Sequence, residues 1–76
     1  MNKFFQFNEF IELGKLFSDC QAYLIALEYF DKAIALSYLP INKKRLAEAY
    51  DLRGGVKVFL RYFPVFETIF NYFLSI

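Results

Sequence analysis

The chain has 76 residues, 58% of them apolar and 22% aromatic, and carries a formal charge of +1. That length holds one small domain, and surface scaling lets such a domain bury only about 60% of the surface its unfolded chain exposes. So greasy a composition excludes a disordered charged tail, and the near-neutral charge excludes an electropositive nucleic-acid binder. The apolar surplus over what one small core holds points to a partner, a second copy or a membrane surface.

There is no histidine and one cysteine, Cys20. A zinc site of the Cys/His kind, a Ser-His-Asp triad and an intrachain disulfide are therefore impossible within the chain, and a reducing, cytoplasmic location is expected. The charge is uneven: residues 1–38 hold three lysines against five acids, and residues 39–76 hold six bases against three acids. The densest basic run, Lys43-Lys44-Arg45, reads as a solvated helix start, since three adjacent charges do not enter a core. Met1 to Phe5 imitates the start of a signal peptide, but Gln6, Asn8, Glu9 and Glu12 interrupt it.

From Asn8 to Cys20 the apolar residues Phe10, Leu13, Phe17 and Cys20 recur at helical spacing, with Ile11 and Leu16 widening the stripe. Glu9 and Glu12 come early and Lys15 later, which suits a helix dipole. Gly14 costs about 0.8–1 kcal/mol relative to alanine inside a helix, so it predicts a close contact with a neighbour. After a turn near Ser18 to Ala22, a second stripe runs through Tyr23, Ala26, Leu27, Phe30, Ala33, Ile34 and Leu36. Glu28 and Lys32 are placed for an i,i+4 pair. Together these segments predict an αα-hairpin.

Pro40 bars continuation of the second helix, and Asn42 is the expected N-cap of a third. That helix is read through Leu46, Ala49, Tyr50, Arg53, Val56 and Leu60, with a bend expected at Gly54-Gly55. The two glycines lack the further glycine or the Lys-Ser/Thr of a nucleotide loop. A strand over Val56 to Phe59 has no second run to pair with. A fourth helix is expected from Pro64, with Phe66, Ile69, Phe70 and Phe73 along one side. The stretch from Val58 to Ile76 is apolar, but Arg61, Glu67, Asn71 and Pro64 argue against a membrane span. The sum is an all-α chain of four helices in two hairpins.

The motif Phe10-x2-Leu13-Gly14-x2-Phe17, with Tyr23, Ala26-x3-Phe30-x2-Ala33 after it, resembles one unit of the tetratricopeptide repeat, a 34-residue helix–turn–helix. The match spans about residues 7–40. Ala47-Glu48-Ala49-Tyr50-x2-Arg53-Gly54 resembles the opening of a second, degenerate unit over about residues 47–76, after a linker near 41–46. In that second unit Lys57 stands where an aromatic is expected, and Phe66 and Phe73 occupy the small-residue positions held by Ala26 and Ala33 in the first. The resemblance implies a fragment of a right-handed superhelix, one domain over residues 1–76.

It also implies a role in protein–protein interaction, as a small scaffold or adaptor that binds another protein or a peptide on a concave face. The residues that would line that face are Asn8, Glu12 and Lys15 on the first helix and Glu48, Asp51 and Arg53 on the third, with Lys44 and Arg45 at the entrance. Phe66, Phe70 and Phe73 form the expected oligomer or membrane face; a homo-oligomer is expected there because a two-unit array lacks a polar cap. Two alternatives stand beside this reading. One is an amphipathic element at a membrane surface; the other is a fragment of a longer array without a function of its own.

No catalytic constellation is expected. Glu9 and Glu12 read as an exposed acidic first turn, Cys20 as a core thiol, and Asp31 and Asp51 lack calcium-ligand spacing. No cofactor, metal or nucleic-acid partner is expected.

Overall fold

The computed structural model describes residues 2–63, 69 and 72–75. They are all-helical, without strands: α1 spans Lys3–Asp19, α2 Tyr23–Ala35 and α3 Lys43–Tyr62, and residues 69 and 72–75 are also helical. The expected start at Pro64, together with Phe66 and Phe70, lies outside the described residues.

Helix α1 begins five residues earlier than the periodicity suggests, because the Asn2 side chain accepts a hydrogen bond from the Phe4 N–H and caps it. The earlier start brings Phe7 into the helix and moves the buried line. Phe7, Ile11 and Gly14 are buried, whereas Phe10, Leu13 and Phe17 flank them half-buried. Cys20 is exposed at the C-cap, so it is not a core thiol. Glu9 and Glu12 fall in mid-helix rather than in the first turn, which holds no acid.

The α1–α2 turn closes without glycine. Gln21 takes φ of 65°, and the Ala22 N–H bonds Phe17 O at 2.8 Å while the Gln21 N–H bonds Ser18 O at 3.0 Å. That pair of bonds is a Schellman cap, with glutamine paying the left-handed backbone strain that glycine would avoid. At the other end of α2 the helix stops at Ala35, well before Pro40, in turns closed by Leu36 N–H to Ala33 O and Ser37 N–H to Ile34 O. Leu36 and Ile41 from this connection fold back onto the core. Asn42 caps α3 as expected, accepting from the N–H groups of Lys44 at 2.8 Å and Arg45 at 3.4 Å. Gly54-Gly55, where a bend was expected, do not interrupt the helix: α3 runs through both glycines for 20 residues. Packing of Ala49 and Val56 on either side outweighs their poor propensity.

The core has two lobes bridged by Leu52. One holds Phe7, Ile11, Ala33 and Ala49; the other holds Ala26, Phe30 and Val56. Phe7, Ile11 and Phe30 are its largest fully buried side chains, each contributing about 2–3 kcal/mol by removal from water. The close approach rests on small residues. A Cβ on Gly14 would lie 2.4 Å from Cε1 of the Phe30 ring, so the ring fills the notch that glycine leaves. Ala26, Ala33 and Ala49 are likewise completely buried, and α2 packs against both α1 and α3.

Tyr29 closes the outer side of the hairpin. Its ring stacks on Phe17 at 5.4 Å between centroids and meets Phe10 at 6.2 Å. Lys32 sits 5.2 Å from the Tyr29 ring centre and 5.9 Å from that of Phe10. It takes this cation–π position in place of the expected pairing with Glu28.

Candidate protein-interaction surfaces

Of the six residues expected on the partner face, four come together, around a side chain that the sequence reading left at the entrance. Arg45 donates from Nε to Asn8 Oδ1 at 3.1 Å, and from its two terminal nitrogens to Glu12 and Glu48. Lys15 lies 2.6 Å from Glu48 and 3.6 Å from Glu12. The side chain of Arg45 is 23% exposed, so it is not the solvated charge its neighbours Lys43 and Lys44 are. The Asn42 cap sets the register that turns Arg45 toward α1.

The hydrogen bond from Arg45 holds the Glu12 carboxyl below its ordinary range, and the bond from Lys15 does the same for Glu48. Reciprocally, Glu48 raises the Lys15 ammonium and Glu12 raises the Arg45 guanidinium. Two cations and two carboxylates neutralise one another. The cluster stitches α1 to α3 across a thin seam and leaves little charge to offer a ligand.

The other two expected residues go elsewhere. Arg53 turns to α2 and pairs through Nε with Asp31 at 3.0 Å. Asp51 lines an open cleft with Ser18, Tyr23, Leu52, Gly55, Val56 and Phe59.

The repeat signature divides in the same way. In the first unit Gly14, Ala26, Phe30 and Ala33 are buried and Phe10, Leu13, Phe17 and Tyr23 half-buried. In the second, Tyr50 is 49% exposed, and a Cβ built on Gly54 meets nothing within 4 Å outside its own helical turn. Tyr50 and Gly54 therefore do not receive the close packing that Phe10 and Gly14 receive, because the core line of α3 runs through Ala49, Leu52 and Val56 instead.

The described apolar residues toward the end of the chain include several that are exposed. Val58, Tyr62 and Phe63 are more than half exposed, as are Tyr72, Phe73 and Leu74. Phe59 links this end to the hairpin, its ring centroid 4.4 Å from that of Tyr23 and 4.8 Å from that of Phe63. Lys57 and Arg61 are exposed on the same helix. Among the described residues no helix is long and apolar enough to cross a membrane, and no group of three potential ligands could hold a metal ion.

No protein-family model matches this chain, and neither a curated protein nor a solved structure matches it.

Proposed function

We propose that the chain is a non-catalytic protein-interaction module of tetratricopeptide-like build, acting in the cytoplasm, whose aromatic end seats on a second copy of the chain. The observation that carries this reading is the exposure of Tyr62, Phe63, Tyr72 and Phe73, at 71%, 52%, 66% and 70%. Each such ring brings roughly 150–250 Å² of surface to an interface and contributes most once desolvated. The tight hairpin, with Phe30 in the Gly14 notch between Ala26 and Ala33, supports the repeat-like build. The self-neutralised cluster around Arg45 argues for placing the interface at the aromatic end rather than on the concave face.

Sedimentation equilibrium of the full chain over a micromolar concentration series tests the proposal. Reversible association, weakened by Tyr62→Ser and by Phe73→Ser, is expected. A monomer at every concentration removes it. The exposed pairing of Lys57 and Arg61 with Tyr62 and Phe63 favours one rival, a membrane surface. Flotation of a monomeric chain with anionic vesicles, reversed by salt, would establish that rival instead.

A further inference from the structure

The acids of the three helices differ in what they meet. Glu12 and Glu48 are held by Arg45 and Lys15, and Asp31 by Arg53. Asp51, like Glu9, Asp19 and Glu28, is exposed and forms no ion pair among the described residues, although Arg53 lies two positions along the same helix. Among the described residues Asp51 is the one acid on the cleft, whose volume is about 330 Å³. Leu52, Val56 and the Phe59 ring line the cleft from the same helix as Asp51, and Ser18 and the Tyr23 ring, 4.4 Å from that of Phe59, line it from the hairpin. Gly55 adds no bulk to the lining, and a Cβ there would meet nothing within 4 Å outside its own helical turn.

We propose that this cleft, which Phe59 joins to the aromatic end, binds a basic side chain, a lysine or arginine of the second copy of the chain. The alkyl stem lies against Leu52, Val56 and the Phe59 ring, and the cation reaches Asp51. The chemistry follows from the lining. Lysine and arginine carry an apolar stem and a charged tip, which match apolar walls with a carboxylate at one side. Aromatic faces add attraction for a cation and none for an anion. An acidic or purely apolar side chain would leave Asp51 repelled or desolvated without a partner.

This inference rests on the interaction reading and names the chemistry of what is bound, so its test uses a probe that needs no protein partner. Isotope-labelled full-length chain is titrated with n-butylammonium chloride, and in parallel with n-butanol and sodium butyrate, while backbone amide shifts are followed by NMR. Saturable shifts at Asp51, Leu52 and Gly55 are expected with the ammonium. Binding should weaken about fivefold with butanol or in Asp51→Asn, the factor that an exposed charge contact of about 1 kcal/mol gives. Gly55→Leu, which fills open space and leaves the fold intact, should abolish it.

Equal binding of butanol, undiminished binding by Asp51→Asn, preference for butyrate, or no saturable shift would each overturn the proposal. Ammonium binding by a chain that sediments as a monomer would retain the cleft and remove the interaction reading. Association without ammonium binding would do the reverse. Self-association should weaken on adding butylammonium, because the basic residue belongs to the second copy; self-association that saturating butylammonium leaves unchanged would overturn that assignment.

Discussion

Replacing Gly14 with alanine asks whether the Phe30 ring truly occupies the notch. The added Cβ would meet Cε1, Cδ1 and Cζ of that ring at 2.4, 2.6 and 2.8 Å. Carbon atoms rest at about 3.5–4.0 Å, so the ring must retreat by roughly 1 Å. It has little room to do so, being completely buried in a cluster with Ala26 and Val56. Overpacking of this kind costs about 1–3 kcal/mol, and a clash along a whole ring edge belongs at the upper end. Alanine returns about 1 kcal/mol of helix propensity, leaving a net loss of about 2 kcal/mol. The same substitution at Gly54, with open space around it, should instead gain close to 1 kcal/mol. Urea unfolding followed by far-UV circular dichroism reads both, and thermal midpoints should separate in opposite directions, by about 4–8 °C per kcal/mol. A double variant, Gly14→Ala with Phe30→Leu, should lose less than the two singles combined, because the smaller side chain vacates the contact. Equal effects of alanine at positions 14 and 54 would refute the packing argument.

Three further outcomes follow from the caps and the charge cluster. Asn42→Ala removes the acceptor for two N–H groups at the start of α3 and should cost about 1 kcal/mol in urea unfolding. Gln21→Gly relieves the left-handed backbone at the hairpin turn and should stabilise by about 0.5–1 kcal/mol; a loss would show that the glutamine side chain matters more than its φ. Glu12 and Glu48 titrate below their ordinary 4.5, so the stability they add is present above that pH and disappears as pH falls through their lowered values. Unfolding midpoints should therefore drop below pH 4.5, by less in Glu48→Gln than in the parent, and the difference should be small because solvent screens both carboxylates.

The first hairpin was legible in the sequence, since Gly14 with Ala26, Phe30 and Ala33 carries a spacing that two close helices require. The Asn42 cap was legible for a similarly local reason. The centre of the buried stripe was not. Phe7, Phe10 and Phe17 are chemically alike, and which ring faces inward depends on where α1 starts and on α3 packing beside it. The turn at Gln21 gave no signal because it uses a strained residue where glycine is usual.

On the partner face, spacing along each helix located Asn8, Glu12, Lys15 and Glu48 but not their mutual pairing. Arg45 meets Glu12 across 33 positions, a contact set by tertiary packing. The grouping of Asp51 and Arg53 with Glu48 failed for a geometric reason. They project to other sides of α3, one to the cleft and one to α2. For the second repeat, Tyr50 and Gly54 matched in type, but type alone does not supply a ring to fill the space beside Gly54.

The most direct check of an interface at the aromatic end is fluorine NMR of the full chain carrying meta-fluorotyrosine, diluted from millimolar to micromolar concentration. Tyr62 and Tyr72 are exposed at that end, whereas Tyr29 is packed between Phe10 and Phe17 within the hairpin. The resonances of Tyr62 and Tyr72 should move with dilution while that of Tyr29 stays fixed. Six tyrosine signals that all hold their positions throughout the series would contradict it.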